Sequence, residues 1–180
     1  ATAIIGAIAA TYDKACDFRF GDARLHYCKA DEISNVETKR IPLISVRSNT
    51  RLRQFHTWVN CINGLDPYIQ RAVFQFVRAT DLLSSGFTEE AVTALDGLTT
   101  VASLFLQDRL SIPGYTRLQL GVHLGLNKKD AINLEQLYQL RCDFGAHPSR
   151  SKWWDFAEIY DESIDELRET SKKLLWQLCK

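Results

Sequence analysis

The stretch FAEIYDESIDELRETSKKLLWQL, residues 156–178, decides the fold class. Its inward candidates, Phe156, Tyr160, Ile164, Leu167, Ser171, Leu174 and Leu178, recur at spacings of three and four, while Asp, Glu and Lys fill the positions between. That pattern predicts one long helix packed along a single side. The same period runs back through most of the chain. Asn127, with Asp130 three residues on, predicts a capped start to a helix bearing Ile132, Leu134, Leu137, Tyr138 and Phe144 inward, failing near Gly145 and Pro148. Ile112-Pro113-Gly114 forces a break before it. Thr88 followed by Glu89 and Glu90 opens another helix with Val92, Leu95, Ala102, Phe105 and Leu106 inside, the carboxylates standing where the helix dipole favours them. Asp66-Pro67 supplies a capping side chain and then proline at the first helical position, launching Ile69, Ala72, Val73, Phe76, Val77 and Leu83 as far as Ser84-Ser85-Gly86. A first segment carries Phe55, Val59 and Ile62 and stops at Gly64.

Residues 53–180 therefore read as an all-α helical bundle, and residues 1–52 as an N-terminal arm of irregular or partly β structure. In the arm the apolar positions are sparse, and Arg24 to Val46 mixes β-branched and aromatic residues with turn formers. No internal repeat of the kind that builds a solenoid is present.

Composition sets the outer bounds. A chain of 180 residues that is 46% hydrophobic and 24% charged is ordinary for one globular domain and excludes a disordered, collagen-like or coiled-coil chain. Twenty-two basic against 22 acidic side chains give no whole-molecule pull toward polyanions, so any such partner has to be met by a local patch. The five cysteines, Cys16, Cys28, Cys61, Cys142 and Cys179, are odd in number and hold no CxxC pair, which suits reduced thiols and a cytoplasmic location. The apolar run AIIGAIAA, residues 3–10, is far shorter than the roughly 20 residues a membrane span requires, so no membrane partner is expected.

The densest cluster of reactive side chains is Arg141-Cys142-Asp143-Phe144-Gly145-Ala146-His147-Pro148. In a straight helix Arg141 and His147 would point about 120° apart. Gly145 permits a left-handed conformation and Pro148 biases His147 away from helical angles, so a bend can swing the imidazole back toward the arginine. Asp143, four residues before His147, can hold the ring by a hydrogen bond and raise its pKa.

The amphipathic segment ending in Leu137-Tyr138-Gln139-Leu140-Arg141, then His147, then a last long helix, resembles HEPN domains and in particular the Apea-like group. These are small all-helical bundles whose hallmark is an arginine followed by four to six residues and a histidine. Asp66-Pro67-Tyr68-Ile69-Gln70-Arg71-Ala72 and Glu90-Ala91-Val92-Thr93-Ala94-Leu95-Asp96 look like the helices before that motif, so the resemblance spans roughly residues 53–178. Cys142 stands where catalytic members carry Asn, Asp or His. The resemblance implies metal-independent RNA cleavage by a homodimer of the toxin–antitoxin or phage-defence type, needing no cofactor and open to control by a neutralising protein. In that reading His147 is the acid/base, Arg141 the phosphate clamp and Asp143 its support.

The same residues admit a blander reading, in which Arg141 and His147 are cations favoured by the exposed carbonyls of a helix C-terminus. The alternative function is then a non-catalytic helical module binding a protein, nucleic acid or small ligand. Lys39 to Leu65 is a basic strip without acidic residues, from which Arg47, Arg51 and Arg53 are candidate RNA contacts or simply a solvated arm. Arg150, Lys152 and Trp153 directly after the motif offer cations and a ring for unpaired bases, and Trp153 with Trp154 equally suits anchoring of the helix to a core or a dimer partner. His26, Cys28, His56, Cys61, Cys142 and His147 lack the paired spacing of a zinc site, so no metal is expected. GxxxxGK[ST], GxGxxG, GxSxG and HExxH are all absent, which removes support for nucleotide hydrolysis, hydride transfer, acyl transfer and zinc proteolysis.

Overall fold

A computed structural model describes residues 2–13, 49–111, 116–146 and 153–180. In chain order the helices are α1 (Thr2–Tyr12), α2 (Asn49–Cys61), α3 (Pro67–Ser84), α4 (Thr88–Leu110), α5 (Arg117–His123), α6 (Lys128–Leu140) and α7 (Trp153–Cys179). A π-helical turn, Arg141–Ala146, follows α6 directly. Among the described residues there is no strand, and the architecture is an all-α bundle.

The helix boundaries fall where the local chemistry puts them. Asp66 accepts hydrogen bonds from the Tyr68 and Ile69 amides, with Pro67 opening α3. Asn127 accepts from the Asp130 amide and its own amide group donates to the Asp130 carboxylate, so the start of α6 is held from both sides. Gly86, at φ 81, follows the C-cap of α3, a left-handed position that glycine adopts without strain. Helix α4 ends at Leu110 with Ser111 in the left-handed region, directly before Ile112-Pro113-Gly114. Helix α5 is the element the apolar period did not mark. Thr116 and Gln119 close a reciprocal capping box at its start.

Helix α4 is the centre of the bundle, touching α3, α5, α6, α7 and the π turn. Val92, Leu95, Leu98, Ala102 and Leu106 are buried in it, as the apolar spacing predicts for all but Leu98. Leu134 and Leu137 of α6 and Leu167, Leu174 and Leu178 of α7 complete the core, each fully buried leucine worth about 1.5–3 kcal/mol. Trp58 of α2 meets Trp176 of α7 edge to face, with ring centroids 5.0 Å apart.

Two expectations need correction. Thr2–Tyr12 is not part of an irregular arm: α1 packs on α2 and α3, and a Cβ at Gly6 would stand 2.7 Å from Val73 Cγ1, so only glycine allows that approach. The helix is apolar around most of its circumference and so lacks the one-sided stripe that marks an amphipathic helix. Residues 49–52, also assigned to the arm, open α2, and residues 1 and 14–48 lie outside the described residues. Second, Ile132 and Tyr138 do not face inward but are 48% and 39% exposed, because Leu134, Leu137 and Leu140 occupy the buried side of α6.

Candidate functional site

The sequence places Arg141 in the last turn of an ordinary helix. The α-helical ladder instead ends at Leu140, and Arg141 begins the π turn. Such turns are rare and often lie at functional positions, because the widened backbone re-aims the side chains it carries. Here the turn packs against α4 and brings Arg141 to Asp96.

Asp96 lies in the middle of α4 and is 2% exposed. A carboxylate taken from water at that depth needs positive partners. Arg117, the first residue of α5, supplies one side-on: its Nε is 3.1 Å from Asp96 Oδ1 and its Nη2 is 3.3 Å from Oδ2. Arg117 Nη2 also donates to Thr100 Oγ1 at 3.1 Å, and its guanidinium sits 5.0 Å from the centroid of the Tyr138 ring. Arg141 comes in third, with Nε 3.9 Å from Asp96 Oδ2.

The two arginines are spent differently. Arg117 has 18% of its side chain exposed and is committed to Asp96, Thr100 and Tyr138. Arg141 has 43% exposed, comes no closer to Asp96 than 3.9 Å, and makes no side-chain hydrogen bond among the described residues. A guanidinium partly open to solvent and beyond hydrogen-bond distance of its nearest carboxylate keeps its donors available for an oxyanion.

The residues beside Arg141 shape its surroundings. Cys142 beside it, first by hydrogen bonding and then by the charge a thiolate would carry, holds the Tyr138 phenol above its ordinary pKa. Arg117 backs the Tyr138 ring on one face. Thr116, Arg117, Glu135 and Tyr138 line a cleft of about 270 Å³ next to the arginine pair. Asp143 is exposed on the π turn. His147, Arg150 and Lys152 lie outside the described residues, as does the side chain of Trp153, whose backbone opens α7.

The basic strip is not brought to this site. Arg47 is outside the described residues, Arg51 is exposed on α2, and Arg53 borders a pocket with Thr50, Gln54, Thr57, Trp58 and Trp176. Arg53 and the cleft residues Glu135 and Tyr138 thus line different pockets. Sequence reasoning also missed Asp96, Arg117 and Glu135. Asp96 left a signal, being a carboxylate in inward register between Val92 and Thr99, both buried.

Among the described residues no three His, Cys, Asp or Glu side chains gather as a metal ion would require, and no helix is long and apolar enough to cross a membrane. Burial, and then the nearby Cys61, push the Cys179 thiol up to about 12, so at neutral pH it is a protonated packing group.

No family model, curated protein or solved structure matches this chain. Its chemistry is therefore argued from its own residues.

Proposed function

We propose that the protein is a metal-independent endoribonuclease of the HEPN type, acting in the cytoplasm as a homodimer in a toxin or defence role and held in check by a neutralising protein. The observation that carries this reading is the state of Arg141: 3.9 Å from a buried carboxylate, 43% exposed, and without a hydrogen bond from its guanidinium among the described residues. An arginine whose only duty was to neutralise Asp96 would approach it as Arg117 does, side-on and closer.

In the proposed reaction His147 removes the proton from a ribose 2′-hydroxyl, and the oxygen attacks the adjacent phosphorus. The P–O5′ bond breaks, the departing oxygen takes up a proton, and Arg141 stabilises the charge that builds on the phosphate oxygens. The products are a 2′,3′-cyclic phosphate and a 5′-hydroxyl end. Asp143 steadies His147.

A second reading, a non-catalytic module binding protein, nucleic acid or a small ligand, is favoured by the same contact seen from the other side, since Arg141 does pair with an internal carboxylate. Variants separate the two. His147→Ala is expected to keep RNA affinity and lose cleavage by at least 100-fold, the usual contribution of general acid–base catalysis. Arg141→Ala is expected to weaken both. Cleavage by His147→Ala at the parent rate would remove the proton-transfer role of His147, and RNA bound but left intact by the parent would leave the binding module.

A further inference from the structure

The cleft beside Arg141 carries a recognition pattern of its own. Glu135 and Tyr138, three residues apart on one side of α6, both line it together with Thr116 and Arg117. Glu135 is half-buried in the cleft wall, and its carboxylate has no hydrogen-bond or ion-pair partner among the described residues. Tyr138 is 39% exposed and backed on one face by the Arg117 guanidinium, 5.0 Å from its ring centroid. A ring held in this way is a stacking platform that loses little entropy when a flat ligand settles on it.

We infer that this cleft is a guanine subsite, in which Glu135 reads the base and Tyr138 stacks it. The inference rests on the ribonuclease reading above. A carboxylate offers two acceptor oxygens and no donor. Guanine alone among the four RNA bases presents two neighbouring N–H donors on its Watson–Crick edge, N1–H and N2–H, that can meet both oxygens at once. Adenine and cytosine each set a ring-nitrogen acceptor beside their amine, and uracil flanks its single N–H with carbonyls, so a carboxylate meets repulsion in every other case. The size agrees: about 270 Å³ lies just under the range of roughly 300–1,000 Å³ for drug-sized ligands and suits one base. Charge agrees as well: among the described residues Asp96 and Glu135 balance Arg117 and Arg141.

The test uses the full chain and 2′-O-methyl pentaribonucleotides, which cannot be cleaved, differing only in the central base. Binding is followed by fluorescence anisotropy in EDTA. The parent is expected to prefer guanine at least tenfold over adenine, cytosine and uracil, the scale of a bidentate base contact. 7-Deazaguanine, which keeps the N1–H and N2–H edge, is expected to match guanine, and inosine, which lacks the N2 amine, to fall between guanine and adenine. Glu135→Gln, with an unchanged melting temperature, is expected to bring guanine to within threefold of adenine. Equal binding of all four bases by the parent would overturn the guanine subsite and leave RNA binding standing. Inosine binding as tightly as guanine would overturn the two-point contact. Binding of none would remove the ribonuclease reading and this inference together.

Discussion

Asp96 and its two arginines decide most of what this chain can do, and they are not equivalent. Removing Asp96 leaves Arg117 largely buried without its partner, and removing Arg117 leaves Asp96 at 2% exposure with only a distant cation. Asp96→Ala and Arg117→Ala are each expected to cost about 3–5 kcal/mol in urea unfolding. Arg141→Ala, which removes a half-exposed contact at 3.9 Å, is expected to cost less than about 1 kcal/mol. A loss at Arg141 as large as at Arg117 would mark it as a structural cation. Arg141 was legible in the sequence because an arginine ahead of Gly145 and Pro148 is a local signal. Its neighbours were not. Arg117 and Glu135 reach the site from separate helices, and no spacing in the chain shows that Arg117, 21 residues after Asp96, turns back onto it.

At the scale of elements, the α5–α6 and α6–α7 contacts give the sharpest tests. A Cβ on Gly121 would stand 2.9 Å from both Cα and Cβ of Ala131, and backbone cannot swing aside as a side chain can. Gly121→Ala is therefore expected to destabilise by about 1–3 kcal/mol, despite the better helix propensity of alanine, as thermal or urea unfolding would report. Between α6 and α7, Lys129 lies 2.7 Å from Glu166, and Asn133 donates to the same carboxylate at 3.0 Å. The Lys129 contact first, then the Asn133 hydrogen bond, hold Glu166 below its ordinary value of 4.5. A carboxylate lowered in the folded state contributes stability above its unfolded pKa and loses it as the pH falls through the folded one. The difference in urea midpoint between the parent and Glu166→Gln is thus expected to be greatest above pH 5 and to shrink below pH 4. A difference independent of pH would mean that the Lys129 contact contributes nothing.

Elements were legible to the extent that they are long, capped and one-sided. Asp66-Pro67 and Asn127 with Asp130 announced their helices, and α7 announced itself by period alone. Helix α5 spans only Arg117–His123, too short for periodicity to register, and α1 hides because nearly all of its faces are apolar. The π turn escaped because nothing in Arg141–Ala146 distinguishes a widened turn from the frayed end of an α-helix before the packing against α4 is known.

At the scale of the whole molecule, the bundle sets Arg141 and the Glu135–Tyr138 cleft on one flank, and the described part of the basic strip toward the Trp58–Trp176 end. With 22 basic and 22 acidic side chains the molecule has no net charge to draw a polyanion, so the proposed RNA cleavage would rest on the local construction of that flank. The most direct measurement is digestion of end-labelled RNA of mixed sequence by the purified chain in excess EDTA, with the chemistry of the new ends determined. Fragments ending in 2′,3′-cyclic phosphate and beginning with 5′-hydroxyl, and absent with Arg141→Ala, are the predicted result. RNA left intact by the folded protein, or cut only when a divalent metal is restored, would contradict it.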